Sequence, residues 1–462
     1  MMGKSRDVAD GKIRSRYGNT KHSTKFLSGD RRIMNFNLMH PAEQIVMLLS
    51  RVYQKGLTTT SGGNLSVKDS EGNIWITPSG IDKGSLTASD ICKVLPDGTV
   101  VGKYKPSVEL PFHKLVYKTR PDVSAVLHAH PPALVSYSLI RKVPETNIIP
   151  TPHEVCGAVG IAEYEVPGSD ALAKRIVNKI DKGFNVVIME NHGVITCADN
   201  LFEAFKRFET LNFAASLGIT AATLGTPEVL TGEQLKLYSR KGMNTLGEFI
   251  PTTFSSEERK LRKEMCTLIH RAYDQNLFTS TQGTFSVRLD KNSFLITPYG
   301  VDRKYIEPED IVRIEHEWRE AGKTPSRSVE LHKRIYDEHP EINAITVAQP
   351  RYIMAFGITH TPIDSRTIPE SYISMRDVVR VPFGTNITSP ETISQAISEH
   401  SPVVLVENDS VISTGNTLIN AFDRLEVAEV TANTIIHAKA IGDIVMITDK
   451  EVEDINKAFH LK

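Results

Sequence analysis

The chain is short of cysteine, of net charge and of long apolar runs, and each shortage excludes something. Cys92, Cys156, Cys197 and Cys266 are scattered without a C-x-x-C pair, so no disulfide framework is expected and the thiols read as those of a reducing, cytoplasmic compartment. A net charge of −1 gives no global attraction for nucleic acid or for an anionic membrane. No apolar run approaches the ~20 residues that a membrane helix needs. Met1–Asp30 has no apolar segment of the kind a secretory leader carries.

What remains is ordinary globular composition, 40% hydrophobic and 24% charged. At 462 residues the length alone predicts two to four domains. Residues 1–35 are polar and basic (Lys4, Arg6, Lys12 and Arg14 among others) and read as a flexible, solvated tail. Apolar residues at helical spacing begin at Pro41.

The stretch V-S-A-V-L-H-A-H (123–130) reads as a strand rich in β-branched and small residues. Side chains two apart on a strand share a face, so His128 and His130 project together and offer half of a tetrahedral metal shell. A third histidine, His192, follows another short apolar strand in V-V-I-M-E-N-H-G. Glu109 lies in P-S-V-E-L-P-F-H, at the opening of an expected helix over 106–118. A carboxylate there is also favoured by the helix dipole alone. Three imidazoles and a carboxylate nonetheless suit an open, catalytic metal site.

Two glycine turns precede this constellation, T-T-T-S-G-G-N-L-S-V-K (58–68) and N-I-W-I-T-P-S-G-I (73–81). Backbone amides beside glycine, with small hydroxyl and amide side chains, are what a phosphate or carboxylate needs. Ser61, Asn64, Ser79, Gly80 and Ser107 are the candidates.

The second half repeats the first at an offset of about 220 residues, a domain period rather than a solenoid one. T-S-T-Q-G-T-F-S-V-R (279–288), F-L-I-T-P-Y-G-V-D (294–302), S-V-E-L-H (328–332) and V-V-L-V-E-N-D-S (403–410) echo the segments above. The expected organisation is a tail (1–35), a first domain (36–225), a linker (226–250) and a second domain (251–462). In this alignment Val347, Gln349 and Asp409 replace His128, His130 and His192. Thr284 replaces Asn64, and Glu330 pairs with Glu109. Valine cannot ligate a metal and glutamine ligates zinc poorly, so the second half is expected to keep the fold without the metal.

The series G-N-L-S-V, I-T-P-S-G, P-S-V-E, H-A-H and E-N-H-G, in this order, resembles the class II aldolase/adducin family over both halves. The resemblance implies an α/β fold of two α/β/α layered domains, each with a central, mostly antiparallel sheet flanked by helices. It implies that His128, His130 and His192 hold zinc (or manganese, cobalt or iron), that Glu109 is the acid/base, and that Ser61, Asn64, Ser79, Gly80 and Ser107 cradle a substrate phosphate. It further implies a homo-oligomer with sites at subunit interfaces, which a fused second half could complete.

Two departures from the resemblance matter. Val108 stands where a second serine would give another phosphate donor. No tyrosine follows the second ligand histidine at the usual distance, where P-T-P-H-E-V-C (150–156) offers His153 or Glu154 as proton donor, unless the reaction differs. The expected activity is that of a metal-dependent lyase of aldolase type on a small sugar phosphate or hydroxy-keto substrate. Epimerisation, decarboxylation and dehydration use related chemistry, and an adducin-like interaction module is the non-enzymatic alternative.

Overall fold

The computed structural model describes residues 36–239 and 246–461. The basic tail of the sequence reading and part of its linker therefore lie outside the described residues. Two mixed α/β halves follow, each built on one sheet.

The first sheet is made of β1 (Asn64–Lys68), β2 (Ile74–Ile76), β3 (Cys92–Val94), β4 (Val100–Val101), β5 (Ala125–Ala129), β6 (Val159–Ala162), β7 (Val186–Met189) and β8 (Gly193–Ala198). Its spatial order is β4-β3-β2-β1-β5-β8-β7-β6. Every pairing is antiparallel except β6 with β7. The strand with the histidine pair is central, and all five of its residues are buried. Period-two alternation sorts them: Ala125, Leu127 and Ala129 enter one core, while Val126 enters the core on the opposite face. The first core is closed by helices Pro41–Gln54 and Leu201–Ala221, the second by Leu110–Thr119 and Asp170–Ile180. The result is the expected α/β/α layering.

The second sheet repeats this plan with β9 (Gly247–Phe249), β10 (Thr284–Asp290), β11 (Ser293–Ile296), β12 (Val312–Glu315), β13 (Trp318–Glu320), β14 (Ala344–Ala348), β15 (Val378–Val381), β16 (Val403–Val406) and β17 (Ser410–Gly415). Its order is β15-β16-β17-β14-β10-β11-β12-β13-β9. The stretch read as a linker, 226–250, is not featureless. It carries a helix, Gly232–Ser239, and β9, which pairs in parallel with β13 at the sheet edge.

Ala214, Leu217 and Ala221 of the first half belong to the same core cluster as Met265, Phe285 and Phe422 of the second. Beside it, Arg51 (3% exposed) donates from Nε to Tyr273 Oη at 2.8 Å and from its terminal nitrogens to both oxygens of Asp302. Tyr273 Oη in turn donates to Glu209 at 2.6 Å, whose other oxygen accepts the Ser280 amide. A buried charge is tolerated only when paired in this way. No described helix is long and apolar enough to cross a membrane.

Candidate metal centre

β1, β5 and β8 lie side by side, and the histidines gather where β5 ends and the turn into β8 begins. Asn64 on β1 pairs in register with His128 on β5, and His128 pairs with Ile195 on β8. His130 is the second residue beyond the wholly buried His128, on the same face. His192 occupies the tight turn joining β7 to β8, its amide bonded to Met189 O at 3.2 Å. Gly193 must be glycine here. A Cβ on it would lie 2.6 Å from both Ala129 O and His130 Cδ2, so the bare backbone lets the two histidine-bearing segments close on each other.

One nitrogen from each of His128, His130 and His192 falls within 4.8 Å of the others. The Nε2 atoms of His128 and His130 are 2.9 Å apart. His128 Nδ1–H donates to the Val194 carbonyl at 3.0 Å, which fixes the tautomer and leaves Nε2 as the lone-pair donor. Burial pushes the His128 imidazolium down to about 3 and, with the neighbouring histidines, that of His192 down to about 4. At neutral pH both rings are therefore uncharged, the state a metal ligand requires.

Glu109 closes the group. It is the N-cap residue of the helix Leu110–Thr119 rather than a member of its first turn. Its Oε2 lies 3.2 Å from His128 Nε2 and its Oε1 3.5 Å from His192 Nε2. Buried Glu109 Oε1 and His192 Nδ1 have no hydrogen-bond partner among the described residues. Three neutral imidazoles and a carboxylate, with polar atoms left unsatisfied, fit a divalent ion of the zinc, manganese, cobalt or iron type.

Behind Glu109 runs a buried chain that the sequence reading missed. Asn64 Nδ2 donates to Glu109 Oε2 at 2.6 Å, and His113 Nε2 contacts Asn64 Oδ1 at 2.5 Å. His113 Nδ1 meets Ser66 Oγ at 2.6 Å, which also meets Tyr117 Oη at 2.6 Å. Two spacings could have revealed it: Asn64 and Ser66 alternate onto one strand face, and His113 sits four residues after Glu109, one helical turn on.

Ser61, Asn64, Ser79, Gly80 and Ser107 all line one cleft with Glu109, His130 and His192. Asn64 has both ends of its amide engaged by Glu109 and His113, so it orients the carboxylate as well as lining the cleft. Lys83 also lines it and was not foreseen. Its buried ammonium donates to the Pro78 carbonyl at 2.5 Å, and burial lowers its proton affinity.

His153 and Glu154 are not brought to this cleft. They lie on the helix Pro150–Cys156, where His153 bonds to Asn147 at 2.8 Å and Glu154 stands 3.4 Å from Arg327 of the second half. Every described residue lining the first cleft comes from the first half itself.

The second half corrects the sequence alignment at one place. Pro106 bridges Pro78 just as Pro325 bridges Pro298. His113 and His332 make the same bond to Ser66 and Ser286. The counterpart of Glu109 is therefore Ser328, the N-cap of the helix Val329–Glu338, and Glu330 is exposed two residues further on, in the first turn. The repeated S-V-E triplet had drawn the alignment two residues out of register. The second half has lost the carboxylate along with all three histidines.

A family model described as "Class II Aldolase and Adducin N-terminal domain" matches residues 43–219 and again 263–436. The 3-oxo-tetronate 4-phosphate decarboxylase of Haemophilus influenzae is 31% identical over 182 residues, 38% of this chain and 86% of that protein. The 5-deoxy-D-ribulose 1-phosphate aldolase of Bacillus thuringiensis serovar kurstaki is 31% identical over 211 residues, 44% of this chain and 96% of that protein. A solved structure titled "L-fuculose 1-phosphate aldolase" is 33% identical, covers 44% of this chain and 95% of its own, and superposes with a TM-score of 0.40.

Proposed function

The chain belongs to the class II aldolase and adducin family, and from that premise we propose that its first half is a divalent-metal-dependent lyase that breaks or forms a carbon–carbon bond in a small phosphorylated sugar or hydroxy-keto acid. The observation that carries this reading is the convergence of His128, His130 and His192 beside Glu109. An interaction module of the adducin kind has no use for that set of donors.

A divalent ion held by the three imidazoles would supply Lewis-acid polarisation of the substrate's ketone and hydroxyl oxygens. The remaining work falls to the protein. Glu109, held by Asn64 Nδ2, takes or returns the proton on the donor carbon, a role for which positioned carboxylates contribute ~10²–10⁴ in rate. Ser61, Ser79, Gly80 and Ser107 hold the substrate's anionic end at the cleft mouth.

Within this reaction class, decarboxylation of a β-keto acid asks least of the cleft as one chain alone builds it. Among the described residues, the titratable side chains lining the cleft are Glu109, His130, His192 and Lys83, and Lys83 is committed to Pro78 O. Loss of carbon dioxide needs no further acid or base at the departing fragment, whereas retro-aldol cleavage needs one for the departing aldehyde's oxygen. A neighbouring copy of the chain could furnish that group, and with it the homo-oligomer expected from the sequence. The pairing of Glu154 with Arg327 at the second half's cleft is an example, within this chain, of one half reaching the other's pocket.

The deciding experiment incubates the metal-loaded protein with phosphorylated keto-acid and ketose substrates while trapping both carbon dioxide and aldehyde. Release of either supports the lyase. Turnover of neither, with racemised or dehydrated product instead, replaces it with one of the family's other chemistries.

A further inference from the structure

The second half's cleft has lost its metal donors and has not been filled with apolar side chains. Val347, Gln349, Asp409 and Ser328 stand where the first half has His128, His130, His192 and Glu109. Gln349 Nε2 donates to the Asp409 carbonyl at 2.7 Å, and Asn386 Nδ2 donates to the Asp409 carboxylate. The hydroxyls of Thr284, Ser326 and Ser328 form a relay at 2.7 and 3.0 Å where the first half has its Asn64–Glu109 bond.

The cradle at the mouth survives. Gly283 keeps the left-handed turn of Gly63, with φ of +78° against +73°, and Thr281 takes the place of Ser61. Here Val108, an exposed valine, is exchanged for Arg327. The Arg327 guanidinium sits 4.8 Å from the Tyr238 ring and 5.5 Å from the Tyr299 ring. Its Nη2 lies 3.1 Å from Tyr238 Oη and 3.4 Å from Glu154 Oε2. That carboxylate contact is at the long end of hydrogen bonding and is not the bidentate fork that a carboxylate or phosphate can give arginine. Asn386 and Ser410, which also line the cleft, each carry a buried side-chain oxygen without a hydrogen-bond partner among the described residues. Buried polar atoms left this way call for a partner. The cavity volume is ≈ 80 Å³, well below the ~300–1,000 Å³ of sites for drug-sized ligands, so only a ligand of a few heavy atoms is accommodated.

We propose that this cleft is a second, metal-independent binding site for a small anionic polyol, with the ligand's phosphate or carboxylate on Arg327 and its hydroxyls on Asp409, Asn386 and Ser410. The charged groups that face it are Arg327, with Glu154 beside it, the buried Arg303, and Asp409. The anion displaces Glu154 from Arg327, and Asp409 accepts from the ligand's hydroxyls. Because Glu154 belongs to the first half, occupancy of the second cleft is felt by the helix Pro150–Cys156.

The test uses the full chain in excess chelator, so that the first cleft holds no metal and turnover plays no part. Calorimetric titration is made with glycerol 1-phosphate, glycerate and uncharged glycerol. One equivalent of glycerol 1-phosphate or of glycerate binds, glycerol does not, and the anion that binds identifies the head group recognised. Arg327→Met weakens that binding at least tenfold, and Ser107→Ala in the first cleft leaves it unchanged. Ser410→Ala removes a hydroxyl that has no hydrogen-bond partner among the described residues, so it folds normally and weakens binding severalfold even if the arginine variant does not fold. Absence of binding by both anions overturns the proposal. So does binding that Ser107→Ala abolishes while Arg327→Met and Ser410→Ala leave it intact.

Discussion

Glu109 Oε2 stands 3.2 Å from His128 Nε2, so the acid of the first cleft is positioned against the innermost of the three imidazoles. At that range the carboxylate can serve a substrate atom adjacent to a bound ion without itself being required to hold the ion. This separates two functions that mutation can distinguish.

Glu109→Gln keeps the shape of the side chain and removes its basicity. The expected result is a loss of ~10²–10⁴ in kcat with metal content unchanged, checked by steady-state kinetics alongside elemental analysis. Equal loss of metal would make Glu109 a ligand instead.

His113 acts on Glu109 only through Asn64. His113→Phe leaves Asn64 Oδ1 and Ser66 Oγ without their ring partner in a fully buried place, at a cost of ~1–3 kcal/mol in stability. Beyond that cost, kcat falls with little change in KM and the acidic limb of the pH–rate profile moves, because the carboxylate is less firmly held. A variant whose stability drops while the pH profile stays put would reduce His113 to a structural residue.

The histidines also set an acid limit on the metal-free chain. Their folded proton affinities lie below the ordinary histidine value, at about 3 for His128 and about 4 for His192. Between those values and ~6.5 the unfolded chain binds more protons than the folded one, so stability rises with pH across the window. The contribution is present above ~6.5 and is lost as the pH falls through the folded values. Urea midpoints of chelated protein should decline from pH 7 to pH 5, and the decline should be shallower in His128→Asn.

The halves are held by a buried pair, and removing one partner strands the other. Arg51→Ala leaves Asp302 and the Tyr273–Glu209 bond without their guanidinium, which should cost about 3 kcal/mol in chemical denaturation. For the same reason a fragment ending before residue 250, which also exposes Leu217 and Ala221, is expected to be insoluble or unfolded. A stable, monomeric fragment would mean the halves are independent.

Much of this was legible in the sequence because the relevant side chains follow backbone periodicity. His128 and His130 share a strand face by spacing alone, and His192 could be placed by the strand before it and the glycine after it. The glutamate register was not legible. S-V-E recurs at 107–109 and 328–330, and only the Pro78–Pro106 and Pro298–Pro325 bridges show that the second triplet is displaced along its helix. His113 escaped notice because its role depends on β1 lying against the helix Leu110–Thr119, a tertiary fact. His153 and Glu154 were placed by distance along the chain, while the fold carries that helix toward the other half's pocket.

Metal content per chain tests the central claim most directly, measured on the wild type and on a chain carrying both His128→Ala and His130→Ala. The account predicts one divalent ion per wild-type chain and none in the double variant. Failure of the wild type to take up any divalent ion on titration would contradict a metal-dependent first half, and two ions per chain would contradict a second half that has lost its ligands.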